Sequence, residues 1–303
     1  MRQAHIVQHH LQRAAPQLHI LIQPMHTHGD HPWPKEDPHR TGKGLFLKEI
    51  EESLLRGHCR LAVHSLKDVP FVQTAGLTIA AVCDPEDPRD VLISKEGFSP
   101  SQLPHGAVIG TNSLRRQAQL LATRADLRVI PLRGNVGTRL SMLFAGSCDA
   151  IILAAAGLQR LGPSHINLSE ANIYPLEVMQ WLPAPCQGVL ALQCRSDDEP
   201  MLELLGLLDD PEVRQRITAE RTFAARLGAD CRSALAAYAL HSTTPTGQTL
   251  ELHGWVASPD GRKSIRLSRC GPASQAIALG NGLAEDFLRA GAARVLHGNH
   301  QLT

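Results

Sequence analysis

Residues 107–117 read Ala107-Val108-Ile109-Gly110-Thr111-Asn112-Ser113-Leu114-Arg115-Arg116-Gln117. An apolar run stops at a glycine, crosses three small polar residues and opens onto a helical pattern, which is how a buried strand hands over to a helix. The same order recurs at Arg128-Val129-Ile130-Pro131-Leu132-Arg133-Gly134-Asn135-Val136-Gly137-Thr138-Arg139. Two such junctions in succession predict an α/β architecture with largely parallel strands.

Working outward, the periodicity predicts strands over 18–22, 61–64, 77–82, 107–110, 128–132 and 150–155, and helices over 3–14, 45–56, 114–124 and 136–144. The chain opens on a helix where a βαβ unit would want a strand first. Residues 94–106 read as a punctuated crossing into a second α/β unit. A late strand, Val189-Leu190-Ala191-Leu192-Gln193, is placed to return to the first sheet. A helix over 211–227 has Pro211 at its start and Gly228 just past its end. Strands over 234–240, 250–257 and 263–269, separated by Pro245-Thr246-Gly247 and Pro259-Asp260-Gly261, predict a three-stranded antiparallel meander with one face covered by a helix over 273–290. No internal repeat or low-complexity tract interrupts the order.

With 303 residues and 43% hydrophobic side chains, the chain is long enough for more than one core. Thirty Lys and Arg against 29 Asp and Glu leave a formal charge of +1, so no whole-molecule field draws it onto nucleic acid. The longest apolar runs, such as 150–156, fall short of the ~20 residues that span a bilayer. The N-terminus lacks the charged, apolar and small-residue succession of a leader. A cytoplasmic protein without membrane or nucleic-acid partners is the expectation. Seven widely spaced cysteines without Cys-x-x-Cys suggest neither a disulfide framework nor a thiolate zinc site. Sixteen histidines include the cluster His26-Thr27-His28-Gly29-Asp30-His31, but a Pro-rich loop does not fix ligand geometry, and no metal is expected.

Both junctions place free backbone N–H groups and a helix N-terminus beside arginines, the pairing that receives carboxylates or phosphates. Thr111, Ser113, Arg115 and Arg116 come from the first; Arg133, Gly134, Asn135 and Arg139 come from the second. Neither carries a nucleotide fingerprint. In His64-Ser65-Leu66-Lys67-Asp68-Val69-Pro70, at a strand end, Asp68 suits a proton carrier or a counterion to a cationic intermediate; capping a local turn is the alternative. Gly42-Lys43-Gly44-Leu45-Phe46-Leu47-Lys48-Glu49 sets two lysines at a helix start, fit for an anion or for plain solvation. Cys231, in Gly228-Ala229-Asp230-Cys231-Arg232, has an arginine beside its sulfur, which favours thiolate.

With these stretches the sequence resembles the hydroxymethylbilane synthase, or porphobilinogen deaminase, family. Further matching segments are Glu86-Asp87-Pro88-Arg89-Asp90, residues 151–161 and Thr218-Ala219-Glu220-Arg221. The resemblance implies two periplasmic-binding-protein-like α/β domains with a cleft between them and a small C-terminal α+β domain: 1–86 with 189–208, 87–188, and 209–303. It implies a monomeric transferase that joins four porphobilinogen molecules head to tail with release of ammonia, in tetrapyrrole biosynthesis. The chain is primed by a dipyrromethane cofactor held through a thioether, for which Cys231 is the matching cysteine. Asp68 matches the catalytic aspartate. Ser65, Lys67, Thr111, Ser113, Arg115 and Arg116 match cofactor contacts; Arg133, Gly134, Asn135, Arg139, Arg160 and Gln187 match substrate contacts.

Three departures stand against the family pattern. A first strand and turn, carrying an arginine and a serine, are absent ahead of the helix at Gln3, which fits either a start upstream of Met1 or a decayed gene. The cysteine loop reads Ala229-Asp230-Cys231-Arg232-Ser233-Ala234 where Gly-Gly-Cys is usual, and Pro185-Cys186-Gln187-Gly188 replaces a Val-Gly-Gln-Gly turn. A non-catalytic relative that binds a polycarboxylate or porphyrin precursor is the competing expectation.

Overall fold

The computed structural model describes residues 1–25, 47–162, 168, 171–230, 233–244 and 247–297. In chain order the helices are α1 (Arg2–Ala14), α2 (Lys48–Leu55), α3 (Leu114–Thr123), α4 (Val136–Phe144), α5 (Ala155–Leu161), α6 (Glu199–Gly206), α7 (Pro211–Arg226), α8 (Ala276–Arg289) and α9 (Ala292–His297). The strands are β1 (Ala62–Ser65), β2 (Leu77–Cys83), β3 (Asp90–Ser94), β4 (Val108–Gly110), β5 (Arg128–Ile130), β6 (Ala150–Ala154), β7 (Asn172–Pro175), β8 (Leu190–Arg195), β9 (Leu235–Thr244), β10 (Gly247–Ala257) and β11 (Ser264–Pro272). They form two compact units, Met1–Pro85 with Val189–Arg214, and Glu86–Gly188 with Gln215–Thr303. Among the described residues no helix is long and apolar enough to cross a membrane.

In the first unit β8 lies between β1 and β2 and is antiparallel to both. Leu190, Leu192 and Cys194 pack against Val7 and Leu11 of α1 on one face, while Ala62 and Leu77 meet Leu54 of α2 on the other. Burial on both faces is why β8 opens on the continuous apolar run Leu190-Ala191-Leu192, and why the buried Gln193 that follows is hydrogen-bonded. The outer edge of β2 is closed by charged groups: Val82 N donates to Asp209 Oδ1 at 2.8 Å, and Arg214 Nη2 donates to Ala80 O at 2.9 Å. Arg214 is itself clamped on Asp209 at 2.6 and 2.7 Å.

In the second unit the strand order is β5-β4-β6-β3-β7. β4 runs parallel to β5 and β6, and β3 runs antiparallel to β6 and β7. The side chains of β3 alternate between two cores. Val91 and Ile93 join Leu140 of α4 and Leu158 of α5, whereas Leu92 joins Ile109, Leu120 of α3 and Trp181. The meander, in the order β11-β10-β9, belongs to the same unit. Its Ala236, Trp255 and Ala257 pack with Ala118 of α3 and Leu182. On its opposite face Phe223 of α7 and Phe287 of α8 stack edge to face at 5.0 Å. A Cβ on Gly254 would sit 2.7 Å from Phe223 Cζ and 2.9 Å from Phe287 Cε2, so only glycine admits both rings.

Three expectations are corrected. The largely parallel sheet is confined to β5, β4 and β6, because helical crossovers operate only between residues 108 and 154, and β8 enters its sheet after a long excursion through the other unit. Residues 18–22 form no strand: the alternation is present, but their backbone joins no ladder among the described residues, and Ile20 O instead accepts Gln8 Nε2 at 2.9 Å. The first turn of the helix expected over 45–56 begins at Lys48, with 45 and 46 outside the described residues. β3, unmarked in the sequence reading, is the strand that the two cores share. The histidine cluster at 26–31, the Lys43 motif and part of the Pro245 turn also lie outside the described residues.

Two stability measurements follow. Asp209→Ala removes the acceptor of a strand-edge N–H and of an arginine, and urea denaturation will show a loss of about 1–3 kcal/mol. Gly254→Ala pushes the two rings apart and costs about 1–3 kcal/mol in the same assay. An unchanged midpoint in either would contradict the packing described.

Candidate active site

The first unit presents its chemistry just after β1. Leu66–Asp68 forms a single 3-10 turn, with Leu66 N donating to Val189 O at 2.9 Å and Val69 N to Leu66 O at 3.1 Å. Leu66 and Val69 are buried, and these two anchors leave Lys67 half-buried and Asp68 exposed between them. Among the described residues no hydrogen bond reaches the Asp68 carboxylate, so the turn-capping alternative is not what the structure adopts. Ser65 Oγ accepts Gln3 Nε2 at 2.7 Å, which fixes the hydroxyl from α1. Behind the turn His64 Nε2 meets Gln193 Oε1 at 3.1 Å, and Gln193 Nε2 donates to Glu51 Oε1 at 3.0 Å. Burial lowers the His64 pKa, against the raising effect of Gln193, Glu51 and Asp68, which favours the neutral ring.

In the second unit both predicted junctions are where the sequence put them. Ser113 caps α3, its Oγ accepting Arg116 N at 3.4 Å, and Thr111 Oγ1 accepts Ser113 N at 3.2 Å. Asn135 caps α4, its Oδ1 accepting Thr138 N at 2.9 Å. Gly134 takes φ +101°, and Arg139 Nε returns to its carbonyl at 2.8 Å. Arg133, Gly134 and Asn135 are exposed.

Arg115 and Arg116 are placed differently from the open cradle the sequence suggested. They are 4% and 6% exposed, and both turn inward to Asp90, which is 0% exposed. Arg115 Nη2 lies 2.8 Å from Asp90 Oδ2, and Arg116 Nη2 lies 2.7 Å from Oδ1. Trp181 Nε1 donates to Oδ2 at 2.9 Å and Gln187 Nε2 to Oδ1 at 2.9 Å. The backbone takes one further edge of each arginine: Arg115 Nη1 to Leu182 O and Arg116 Nη1 to Ile152 O, both at 2.9 Å. Burial pushes the Asp90 carboxyl up, yet the Arg115 and Arg116 guanidiniums hold it well below the usual carboxylate range. Arg116 Nε, equally buried, has no hydrogen-bond partner among the described residues. Gln187, expected to face substrate, also spends its amide on Pro88 O at 2.7 Å. Arg160 is 6% exposed, with Nη2 2.6 Å from Gly188 O. Arg115, Arg116 and Gln187 are thus brought together around one carboxylate, with Thr111 and Ser113 on the same junction.

A second internal carboxylate, Glu220 of α7, accepts Cys186 N at 2.6 Å and Ala239 N at 2.9 Å. Burial raises its pKa, with Arg216 the main opposing charge. The Cys186 backbone has φ +63°, the left-handed region that the family glycine would occupy without strain. Cys231 and Arg232 lie outside the described residues. Their flanks close on each other, with Ser233 N donating to Asp230 O at 3.0 Å and Asp230 N to Ser233 Oγ at 3.0 Å. Asp90 and Glu220 entered the sequence reading only within segments that match the family, Trp181 did not enter it, and none of the three was a site candidate. An acidic residue opening the apolar run Asp90-Val91-Leu92-Ile93 was the available signal for the first.

Comparison with known proteins adds the following. A family model described as "Porphobilinogen deaminase, dipyromethane cofactor binding domain" matches residues 1–203, and one described as "Porphobilinogen deaminase, C-terminal domain" matches 214–289. A porphobilinogen deaminase of Chromobacterium violaceum is 46% identical over 292 residues, 96% of this chain and 92% of its own. Among solved structures, a periplasmic binding protein from Brucella ovis with glutathione bound aligns at 15% identity and TM-score 0.36, over 61% of this chain and 65% of that one. A putative periplasmic sulfonate-binding protein from Methylobacillus flagellatus aligns at 14% identity and TM-score 0.33, over 57% and 50%. With both domain models matched and nearly half of the residues shared with a relative along almost its whole length, the chain belongs to the porphobilinogen deaminase family.

Proposed function

We propose that this transferase condenses four porphobilinogen molecules head to tail, releasing one ammonia per unit joined, then hydrolyses the linear tetrapyrrole off its primer, water supplying the hydroxyl of hydroxymethylbilane, and that Asp68 and Cys231 carry the reaction. The observation that bears most weight is the division of charge: an exposed carboxylate at the end of β1, and arginines at two strand-to-helix junctions of the second unit. Each pyrrole brings an acetate and a propionate, and these need paired cationic donors.

The residues present suit a dipyrromethane. Arg116 Nε is a buried donor without a hydrogen-bond partner among the described residues, the N-terminus of α3 supplies Thr111 and Ser113, and Arg115 lies alongside. These residues, with Ser65 and Lys67, would hold the cofactor, and Cys231 would anchor it through sulfur. Bound there, it supplies the first free pyrrole carbon onto which substrate is added. Arg133 and Arg139, exposed and half-buried at the start of α4, would receive the carboxylates of incoming and added units, with Gly134 and Asn135 offering backbone and side-chain donors. Arg160 and Gln187 hold the chain around Gly188 and Asp90 in this structure and would act from there.

Asp68 does the proton work. Loss of ammonia from porphobilinogen takes the pyrrole N–H proton and leaves an electron-poor azafulvene, and attack on it by the free pyrrole carbon at the end of the chain must afterwards release a proton from that carbon. A carboxylate at hydrogen-bond reach can accept and return these protons and lower the energy of the cationic form between them. The two buried anchors of its turn hold it out, and the Ser65 hydroxyl, fixed by Gln3, stands three residues before it. The near-neutral charge of the chain supports small-molecule rather than nucleic-acid partners. Resemblance to the family supports a monomer at work in the cytoplasm. Three domains, with 209–303 as the C-terminal one, complete this reading.

Intact-mass measurement of the purified protein will show an increment of two linked pyrroles that disappears in Cys231→Ala. A bare chain in both would overturn the catalytic reading and favour a binding relative. Asp68→Asn will lower kcat by about 10²- to 10⁴-fold, the usual contribution of a general acid or base, with KM for porphobilinogen changed far less. A kcat within a few-fold of the parent enzyme would remove Asp68 from the mechanism.

A further inference from the structure

We infer that Asp90 is the positioning residue of the anion site: its buried carboxylate, completed by the Trp181 indole, sets the attitude of Arg115 and Arg116 and so decides how firmly a pyrrole carboxylate is held. The inference rests on the proposed function and deepens it.

Asp90 has no exposed surface and cannot itself touch a ligand. Its two oxygens are divided evenly, Oδ1 taking Arg116 and Gln187, Oδ2 taking Arg115 and Trp181. Four donors fill the in-plane acceptor sites of one carboxylate, so each guanidinium approaches from one direction only. Leu182 O and Ile152 O then fix a second nitrogen of each arginine. Two long side chains at consecutive positions of α3, which would otherwise repel and sample many rotamers, are reduced to a single arrangement. The edge this leaves on Arg116 is the one bearing Nε, buried and without a partner among the described residues. The pair also carries one net positive charge once Asp90 is counted, which moderates its attraction for anions. A buried ion cluster is weak evidence of stability, since apolar replacements often serve the fold as well. What the arrangement secures here is direction.

The test compares the parent protein with Asp90→Asn, Asp90→Glu and Trp181→Phe, reading melting temperature, the fraction carrying the dipyrromethane increment by intact mass, and kcat and KM for porphobilinogen. Trp181→Phe removes one donor and keeps the aromatic ring in its core, so it serves if Asp90→Asn does not fold. Loss of one charge-assisted bond is worth ~10- to 100-fold in affinity, so folded Asp90→Asn should show a reduced loaded fraction or a KM raised about tenfold or more. Trp181→Phe should move the same readouts in the same direction by less, and Asp90→Glu should recover part of the loss. Parent-like loading and KM in the folded variants, whatever the melting temperature does, would overturn the positioning role and leave a structural one. A parent protein with no increment at all would instead overturn the function on which the inference rests, and the inference with it.

Discussion

A carboxylate with no access to water must find its donors inside the protein, and Asp90 draws them from three parts of the second unit. α3 contributes Arg115 and Arg116, the segment after β7 contributes Trp181, and the loop before β8 contributes Gln187. Displacing α3 would leave an uncompensated charge, and displacing either of the others an unfilled acceptor, in a core that also contains Leu92, Ile109 and Ile152. The apolar packing of β3 brings the elements near one another. The ion cluster makes their relative placement specific, because hydrophobic contact tolerates small slides that a saturated carboxylate does not.

The same logic operates at Glu220, bonded by Cys186, the neighbour of Gln187. Its two oxygens receive N–H groups from Cys186 and from Ala239 of β9, so α7 ties the loop before Gly188 to the meander. Gly188 closes this loop against Glu86: Glu86 N donates to its carbonyl at 3.0 Å, and a Cβ at this φ of +92° would lie 2.5 Å from Glu86 O. Residues 85–86 and 188–189 are two of the points where the chain passes between the units. Both strands of that passage are therefore fixed on the second-unit side by backbone bonds and by Arg160, whose Nη2 also reaches Gly188 O. A cysteine with positive φ sits two residues before this glycine, held by the Glu220 bond despite the strain.

How far the sequence could be read follows from the range of the forces involved. Helix ends were legible because caps are local: Ser113, Asn135, Pro211 and Gly228 mark ends that the structure keeps within a residue or two. The meander was legible because each strand is bounded by turn residues. β3 was not, since its five residues are buried throughout and so lack the alternation that marks a strand with one wet face. Direction was not legible either, for nothing in 189–193 says that this strand enters against β1 and β2. At the site, residue types at the two junctions pointed to anions, but the burial of Arg115 and Arg116 depends on an aspartate more than twenty positions away.

The arginines therefore fall into two physical classes that sequence alone cannot separate. Arg115, Arg116 and Arg160 are desolvated, with their geometry set by internal acceptors, while Arg133 stands exposed in solvent beside the half-buried Arg139. A fixed, desolvated donor loses little freedom when an anion arrives, and water competes with it weakly. An exposed arginine must be ordered on each encounter and is screened by salt, but it can follow a carboxylate that moves. The first class suits a group that is bound once and kept; the second suits units that are added and released. On the proposed function, this places the permanent primer at α3 and the changing part of the chain at α4, an ordering imposed by burial rather than by the number of charges.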